Sequence, residues 1–462
     1  MTDDLNKRLH DLRISNVLPM HMPGHKRNPL VMPYGIPMGS DITEIDGFDN
    51  LHSPEGVIRS IEQRAAALWG SRDAFISVNG ATALIQSAIL SSTKRGDKIL
   101  VASNCHISVW HAIELGGLIP VTVSPEKSDD LPFMLGMPAK AFAKALDEHK
   151  DIKAAVITTP TYEGVISDTE KLYETASEHE CLLIVDESHG AHLGIKGQSL
   201  FPAGASGDIV IKSVHKTLNA PTQTAVMLVN GDHVNTRLIR HYLSVNESTS
   251  PSYILMAGLE NALKTADTDT LYKNVDKGRQ ALAGLKRLKL FDGDDLDKSK
   301  FVIMTRGYMT GDQLAALLRE QFLIEIEAAF PTYIIAMTGT GDTAATIARF
   351  TDAILAIDAS LPEEAQEISV SVTPDITYST KMSIEKAVKS SCSKVAIDEA
   401  AGSVSAEYLF AYPPGIPLLI PGQEITEDIV KILTGLIKNG SSLKTDPYRT
   451  WDGMLLKVDT DA

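Results

Sequence analysis

No stretch of the 462-residue chain approaches the roughly 20 consecutive apolar residues that a membrane span requires. The opening residues, MTDDLNKRLHDLRIS, are charged throughout and carry no apolar core of the kind a secretory signal needs. Membrane insertion and secretion are therefore disfavoured. Cysteine is scarce: Cys105, Cys181 and Cys392 are far apart, odd in number and without CxxC spacing, which argues against a disulfide framework and a zinc knuckle and fits a reducing cytoplasm. Positive charge is also in deficit, with 43 Lys and Arg against 59 Asp and Glu, a net −16 that makes nucleic acid a poor partner. Histidine is missing from the last 221 residues, since all 13 lie between His10 and His241, so imidazole chemistry is concentrated in the part of the chain that holds the sheet.

What is present is an ordinary globular composition, 44 % hydrophobic and 22 % charged, over a length that suits two to four domains. From about residue 70, short apolar runs alternate with helical patterns: FISV (75–78), KILVA (98–102), IPVTV (119–123), AAVITT (154–159), LLIV (182–185), DIVI (208–211) and AVMLV (225–229). Continuous runs of this kind predict strands buried on both faces, joined by helical crossovers such as 81–92 and 139–150, hence a doubly wound, mostly parallel α/β sheet. After Pro251 a long helical stretch to about 290 leads into shorter strands, FVIMT (301–305) and YIIAM (333–337), which read as a smaller α+β domain. The acidic, Pro-bearing segment 360–374 reads as a linker, and 411–424 holds too much proline for a helix. The expected organisation is an N-terminal segment (1–50), a sheet domain (51–255), a small domain (256–360) and a C-terminal subdomain (361–462).

Four segments carry chemistry. Lys216, in SVHKTLNAPTQTA, follows the run DIVI and falls just past the carboxyl end of a strand, the edge at which open α/β sheets bind ligands. Alone it reads as a loop lysine; beside Ser213, His215 and Thr217 it is a candidate Schiff-base lysine with phosphate-binding neighbours. Asp186 follows another buried strand, where a carboxylate needs a partner such as a protonated pyridine nitrogen; a strand-end cap is the plainer alternative. NGATAL (79–84) sits between strand and helix, so Gly80, Ala81 and Thr82 offer N–H groups to an anion, although small residues are common at such turns. His106, just beyond KILVA, is placed to stack on a flat ring or to serve as a bonded loop residue. Together an anion cradle, a stacking ring, an acid and a lysine describe a pyridoxal-phosphate site.

These segments, with HMPGHK (21–26), DITEIDGFDNLHSPEG (41–56), STSPSY (248–253) and EYLFAYPPGIPLLIPG (407–422), resemble the prokaryotic ornithine/lysine/arginine decarboxylase family in its short form, which lacks the N-terminal wing domain. The resemblance implies a fold-type-I, aminotransferase-like large domain with smaller α+β C-terminal parts, pyridoxal 5'-phosphate as cofactor and decarboxylation of a basic amino acid. It implies that Lys216 carries the cofactor, Asp186 pairs with the ring nitrogen and His106 stacks on the ring face. Ser213, His215, Ala81 and Thr82 would hold the phosphate, with Gly80 in the cradle. Thr249 would reach the phosphate of a neighbouring subunit, and His189 would lie near the ring's phenolic oxygen. It also implies a homodimer or dimer of dimers with shared sites, to which the N-terminal segment contributes. Two positions depart from the family: Ser188 stands where Ala is usual, expected to place a hydroxyl near the second ring face, and Ile107 where Lys is common.

Rival readings remain at this level. An aminotransferase shares the constellation but usually clamps the substrate carboxylate with an arginine, and this chain has none between Arg349 and Arg449. Arg349 itself is left as a solvated position or a clamp. A metal-dependent hydrolase would use Asp186, His189 and His192, a spacing that suits ligands but leaves Lys216 and the cradle unexplained. No metal is expected. A catalytically dead, regulatory homologue is argued against by the presence of both Lys216 and Asp186. For the substrate's cationic tail the candidate acids are Glu44, Asp46, Asp49 and Glu407, whose plainer reading is solvated loop acids; His25 is a further candidate for substrate binding. Arginine is the first choice of substrate, then lysine and ornithine.

Overall fold

The computed structural model describes residues 4–14, 38–365, 378–411, 415–438, 443–445 and 449–459. Strands β1 (Asp73–Ser77), β2 (Lys98–Ala102), β3 (Ile119–Val123), β4 (Ile152–Thr158), β5 (Leu182–Asp186), β6 (Ile209–Lys212) and β7 (Ala225–Val229) form one sheet in the order β1-β7-β6-β5-β4-β2-β3. Strand β2 runs parallel to β3 and β4, and β5 parallel to β6, whereas β7 is antiparallel to β1 and β6. KILVA, IPVTV and AVMLV form at the residues expected, while DIVI is displaced by one and ends on Lys212. Every residue of β6 and β7 is buried, which is why these strands read as unbroken apolar runs.

Helices α1 (Leu5–Ile14), α2 (Val57–Trp69), α3 (Gly80–Ser92), α4 (Ile107–Gly116), α5 (Ala139–Glu148) and α6 (Thr169–Glu178) are interleaved with these strands. After β6 come α7 (Val214–Thr217), α8 (Thr236–Asn246), α9 (Tyr253–Thr265), α10 (Thr268–Leu282), α11 (Gly311–Phe322) and α12 (Ala344–Ser360). The helical stretch expected over 252–290 is two helices. The side chain of Gln198 takes the Thr268 hydroxyl and the Asp269 N–H and donates to Ala266 O, and Asp267 caps α10 through Thr270 N, so the break has its own bonds.

The chain divides into two compact units. The first comprises Met1–Ser92, Ile184–Leu271 and Gly339–Gly341. There α2 buries Val57, Ile58, Ile61 and Ala65 on one stripe and stops at Gly70, whose φ of 76° is the left-handed end that glycine allows. Its start is held by Asp49, which takes the N–H groups of Asn50 and Glu55 on Oδ1 and those of Gly56, Ile58 and Arg59 on Oδ2. Burial alone would raise the Asp49 carboxyl; these backbone donors outweigh it and hold it below the usual range. On the inner face of α2, buried Glu62 accepts from Arg240 Nη2 on both carboxylate oxygens, each at 2.8 Å, while Nη1 donates to Leu51 O.

The second unit comprises Thr93–Leu183, Tyr272–Thr338 and Asp342–Ala462. Its α+β part is an antiparallel sheet, β10 (Ala328–Phe330), β11 (Tyr333–Met337), β9 (Lys300–Met304) and β8 (Lys289–Leu290) in that order. Phe133, Val165, Val302, Tyr333 and Ile335 form a core cluster there. Two polar pairs are sealed inside this unit: Tyr333 OH donates to Glu163 at 2.9 Å, and Lys300 meets Asp297 at 2.8 Å. Further along, β12 (Cys392–Ala396) pairs with β17 (Met454–Val458), and β13 (Leu409–Ala411), β14 (Ile416–Leu419), β15 (Leu443–Thr445) and β16 (Arg449–Thr450) make another antiparallel sheet. Most of the expected linker lies outside the described residues.

Candidate active site

In the first unit, three turns that follow strands β1, β5 and β6 carry candidate site residues. Gly80 opens α3 with φ 76°, and a side-chain carbon placed there would meet nothing within 4 Å. Its N–H goes to Gln223 O at 2.8 Å, while Ala81 and Thr82 lie in the first helical turn, where N–H groups have no intrahelical acceptor. Asp186 ends β5 and is buried, accepting on Oδ1 from both the N–H and the hydroxyl of Ser188. The extra hydroxyl at position 188 is thus engaged with the acid, a different use from the ring-face contact expected of it. Both bonds fall on one oxygen.

Lys216 lies in α7, the single turn that follows β6, and its Nζ is 2.9 Å from His189 Nε2. Ser213, the N-cap of α7, is buried. His215 is half-buried with Nδ1 3.0 Å from Thr224 O; the carbonyl requires Nδ1 to be the donor, and burial, with Lys216 adding to it, lowers the imidazole's affinity for a proton. A far segment closes on this turn: Thr340 N donates to Thr217 O at 2.9 Å, and a side-chain carbon on Gly339 would stand 2.9 Å from the same oxygen, so only glycine admits the approach. Beneath the cradle, buried Glu247 has its carboxyl raised by burial, against hydrogen bonds from Ser77 and the Asn79 and Val78 amides.

In the second unit, His106 is the N-cap of α4. Its Nδ1 accepts from Ser108 N at 3.2 Å and lies 2.9 Å from Ser108 Oγ, which fixes the ring plane. Arg349 donates to Phe322 O and Leu323 O and so caps α11.

The residues named for the substrate tail separate. Asp49 is a helix cap with both oxygens engaged, as described above. Glu407 is buried and takes Leu456 N at 2.7 Å. Asp46 is exposed, and Glu44 is half-buried with an Oε1 that has no hydrogen-bond partner among the described residues. Thr249 is exposed, and His25 lies outside the described residues. Among the described residues no group of three or more His, Cys, Asp or Glu is arranged to hold a metal ion, so Asp186, His189 and His192 form no such centre; His192 packs edge-on against Phe201 instead.

A mostly parallel sheet with an acid ending one strand and a lysine in the turn after its neighbour defines a fold-type-I chain. The lysine decarboxylase of Francisella novicida shares this fold, with a TM-score of 0.82 at 19 % identity over 99 % of this chain and 81 % of that one. The family model for the Orn/Lys/Arg decarboxylase major domain matches residues 10–304, and that for the C-terminal domain matches 363–441. The chain belongs to the Orn/Lys/Arg decarboxylase family. It is similar to an arginine decarboxylase of Bacillus anthracis, 30 % identical over 92 % of this chain and 91 % of the relative, and to one of Bacillus cereus, 31 % identical over 88 % and 94 %.

Sequence reasoning missed the ion pair of Lys212 and Glu187, both fully buried beside the site. The available signal was a lysine closing an otherwise apolar strand. Burial pushes the Glu187 carboxyl up and the Lys212 ammonium's pKa down, and their mutual contact opposes both shifts.

Proposed function

We propose that the protein decarboxylates a basic L-amino acid with pyridoxal 5'-phosphate as cofactor, arginine to agmatine first, with lysine to cadaverine and ornithine to putrescine as the other choices. The observation that carries the reading is the 2.9 Å approach of Lys216 Nζ to His189 Nε2, in a chain of a decarboxylase family. The residues fit the cofactor: an open glycine cradle with helix-end N–H groups, a buried acid bonded on one oxygen only, and a lysine in the adjoining turn. Bound there, pyridoxal phosphate supplies the electron sink that loss of CO₂ requires.

The chain's own groups do the rest. At 2.9 Å, His189 Nε2 is placed to accept a proton from Lys216 Nζ when the amine must act as a nucleophile. His189 also faces the ring's phenolic oxygen. Asp186 would hold a proton on the ring nitrogen, and Oδ2 is the oxygen for it because Ser188 occupies Oδ1. His106, locked by Ser108, covers the ring. Ala81, Thr82 and Ser213 would hold the phosphate at the turn that Gly80 shapes, its own N–H being taken by Gln223 O, and His215 would join them only when Nε2 also carries a proton, since Nδ1–H already serves Thr224 O. Arginine stands first because the relatives named arginine decarboxylase match along most of the chain at 30 and 31 % identity.

The working form is a homodimer or dimer of dimers with shared sites, in which Thr249 reaches the neighbouring phosphate and Glu44 and Asp46 face the substrate tail; His25, a further candidate for substrate binding, lies outside the described residues. Glu407 stays a candidate for the tail, although its Oε1 already takes the Leu456 amide. A cytoplasmic location suits three cysteines that form no disulfide. The test supplies the protein with pyridoxal phosphate and an equimolar mixture of arginine, lysine and ornithine, and reads the amines by mass spectrometry. Agmatine is expected; cofactor attached at Lys216 with no amine formed overturns the reading in favour of transamination or another amino acid.

A further inference from the structure

The two buried charges at the ends of β5 and β6 have no part in the chemistry above, yet they lie next to it in the chain: Glu187 follows Asp186, and Lys212 precedes Ser213. The Lys212 ammonium donates to Glu187 Oε2, to Gly190 O at 3.1 Å and to Leu193 O at 3.3 Å, so its three hydrogens are matched. The other Glu187 oxygen accepts from Ala205 N at 3.0 Å. Trp69 braces the same turn, with its ring 5.5 Å from Lys212 Nζ and its Nε1 donating to Leu193 O at 3.1 Å. The turn 186–193 is therefore wrapped around one ammonium group, and His189, which meets Lys216, is bracketed by two residues bonded to Lys212. Stability gives a weak account of such a pair, because replacing a buried ion pair with apolar side chains of similar volume is often neutral or stabilising.

We infer that Lys212 is a positioning residue: its ammonium, with Glu187 as counter-charge, acts as an internal cation that folds the 186–193 turn and so aims Asp186 and His189 at the cofactor. This rests on the reading of Lys216 as the cofactor lysine. Removing the hub leaves the chemical groups in place but frees the turn that sets the proton balance between His189 and Lys216.

The experiment compares the cofactor-loaded wild type with the double variant Lys212→Met/Glu187→Met and with Glu187→Gln. It reads thermal unfolding, the pH midpoint of the bound cofactor's visible absorption and the dissociation constant for pyridoxal phosphate. The double variant is expected to melt near the wild type, with the absorption midpoint moved by about one pH unit and cofactor affinity lowered roughly tenfold or more. In turnover, kcat falls by a larger factor than KM changes. Glu187→Gln, which keeps an acceptor for Lys212, moves the midpoint the same way but less. A folded double variant with wild-type midpoint and affinity overturns the inference; if the double variant does not fold, a wild-type midpoint in Glu187→Gln overturns it. A wild type that forms no borohydride-reducible adduct at Lys216 overturns the cofactor reading itself, a separate failure.

Discussion

Asp49 and Asp186 are two acids of one unit, each at the start of a turn, and both were candidates for binding something. Asp49 receives five backbone N–H groups that occupy both oxygens, whereas both bonds to Asp186 fall on Oδ1. The first carboxylate is complete within the fold, and the second has an oxygen left for a ligand. What separates a cap from a binding group here is the number of acceptor positions already filled, since residue type and turn position are shared.

The largest effect is expected at Lys216, which shares the site with Asp186. Lys216→Met is expected to abolish the cofactor adduct, seen by mass spectrometry after borohydride reduction, and to lower amine formation by more than about 1,000-fold. Asp186→Asn comes next: turnover falls by about 100-fold or more while the melting temperature of the cofactor-free protein changes little. Asp49→Ala inverts that pattern, costing about 2 kcal/mol in denaturant unfolding through the lost cap of α2, with kcat nearly unchanged. If Asp49→Ala were to remove activity from folded protein, the distinction drawn between the two acids would be wrong. Ser188→Ala keeps the N–H bond to Asp186 and loses only the hydroxyl, so a fall in kcat within about tenfold is expected.

The smallest effect concerns pH. Burial lowers the folded-state pKa of His215, so the unfolded chain takes up a proton there first. The group costs nothing at pH above its unfolded value of about 6.5, and stability is lost as pH falls from there towards the lower folded value. His215→Gln should flatten the decline of melting temperature between about pH 7 and pH 5 in the cofactor-free protein by roughly the equivalent of 1 kcal/mol or less. Because phosphate favours the imidazolium, bound pyridoxal phosphate should also weaken that decline.

Legibility in the sequence followed hydrophobic burial. Strands β2 and β7 were readable to the residue because they are buried along nearly their whole length, and edge strand β3, of which only Val123 is buried, kept its apolar run all the same; the same pattern placed Asp186 and Lys216 at strand ends. The antiparallel course of β7 was hidden, because an apolar run reads the same in either direction. Lys212 was invisible for a related reason: pattern reading assigns a charged residue to the edge of a strand, and only the fold supplies the Glu187, Gly190 and Leu193 oxygens that make its burial tolerable. Glu407 was drawn towards the substrate by its place in a motif, whereas the Leu456 amide that engages it lies 49 residues further on. The break between α9 and α10 depends on Gln198, a residue far from both in the chain.

The closure of Gly339 and Thr340 on Thr217 has a consequence for how the protein is made. The turn that bears Lys216 is completed by residues 123 positions later, because Thr340 must arrive to donate to Thr217. On a ribosome the lysine emerges long before its last neighbours do, so the first unit stays open at its reactive corner while the second is still being synthesised. Contacts of such separation form slowly. The nascent chain should therefore acquire its aldehyde-binding competence late, after residue 341 has left the exit tunnel, and truncation just before that point should leave a sheet in which the lysine turn is unfinished.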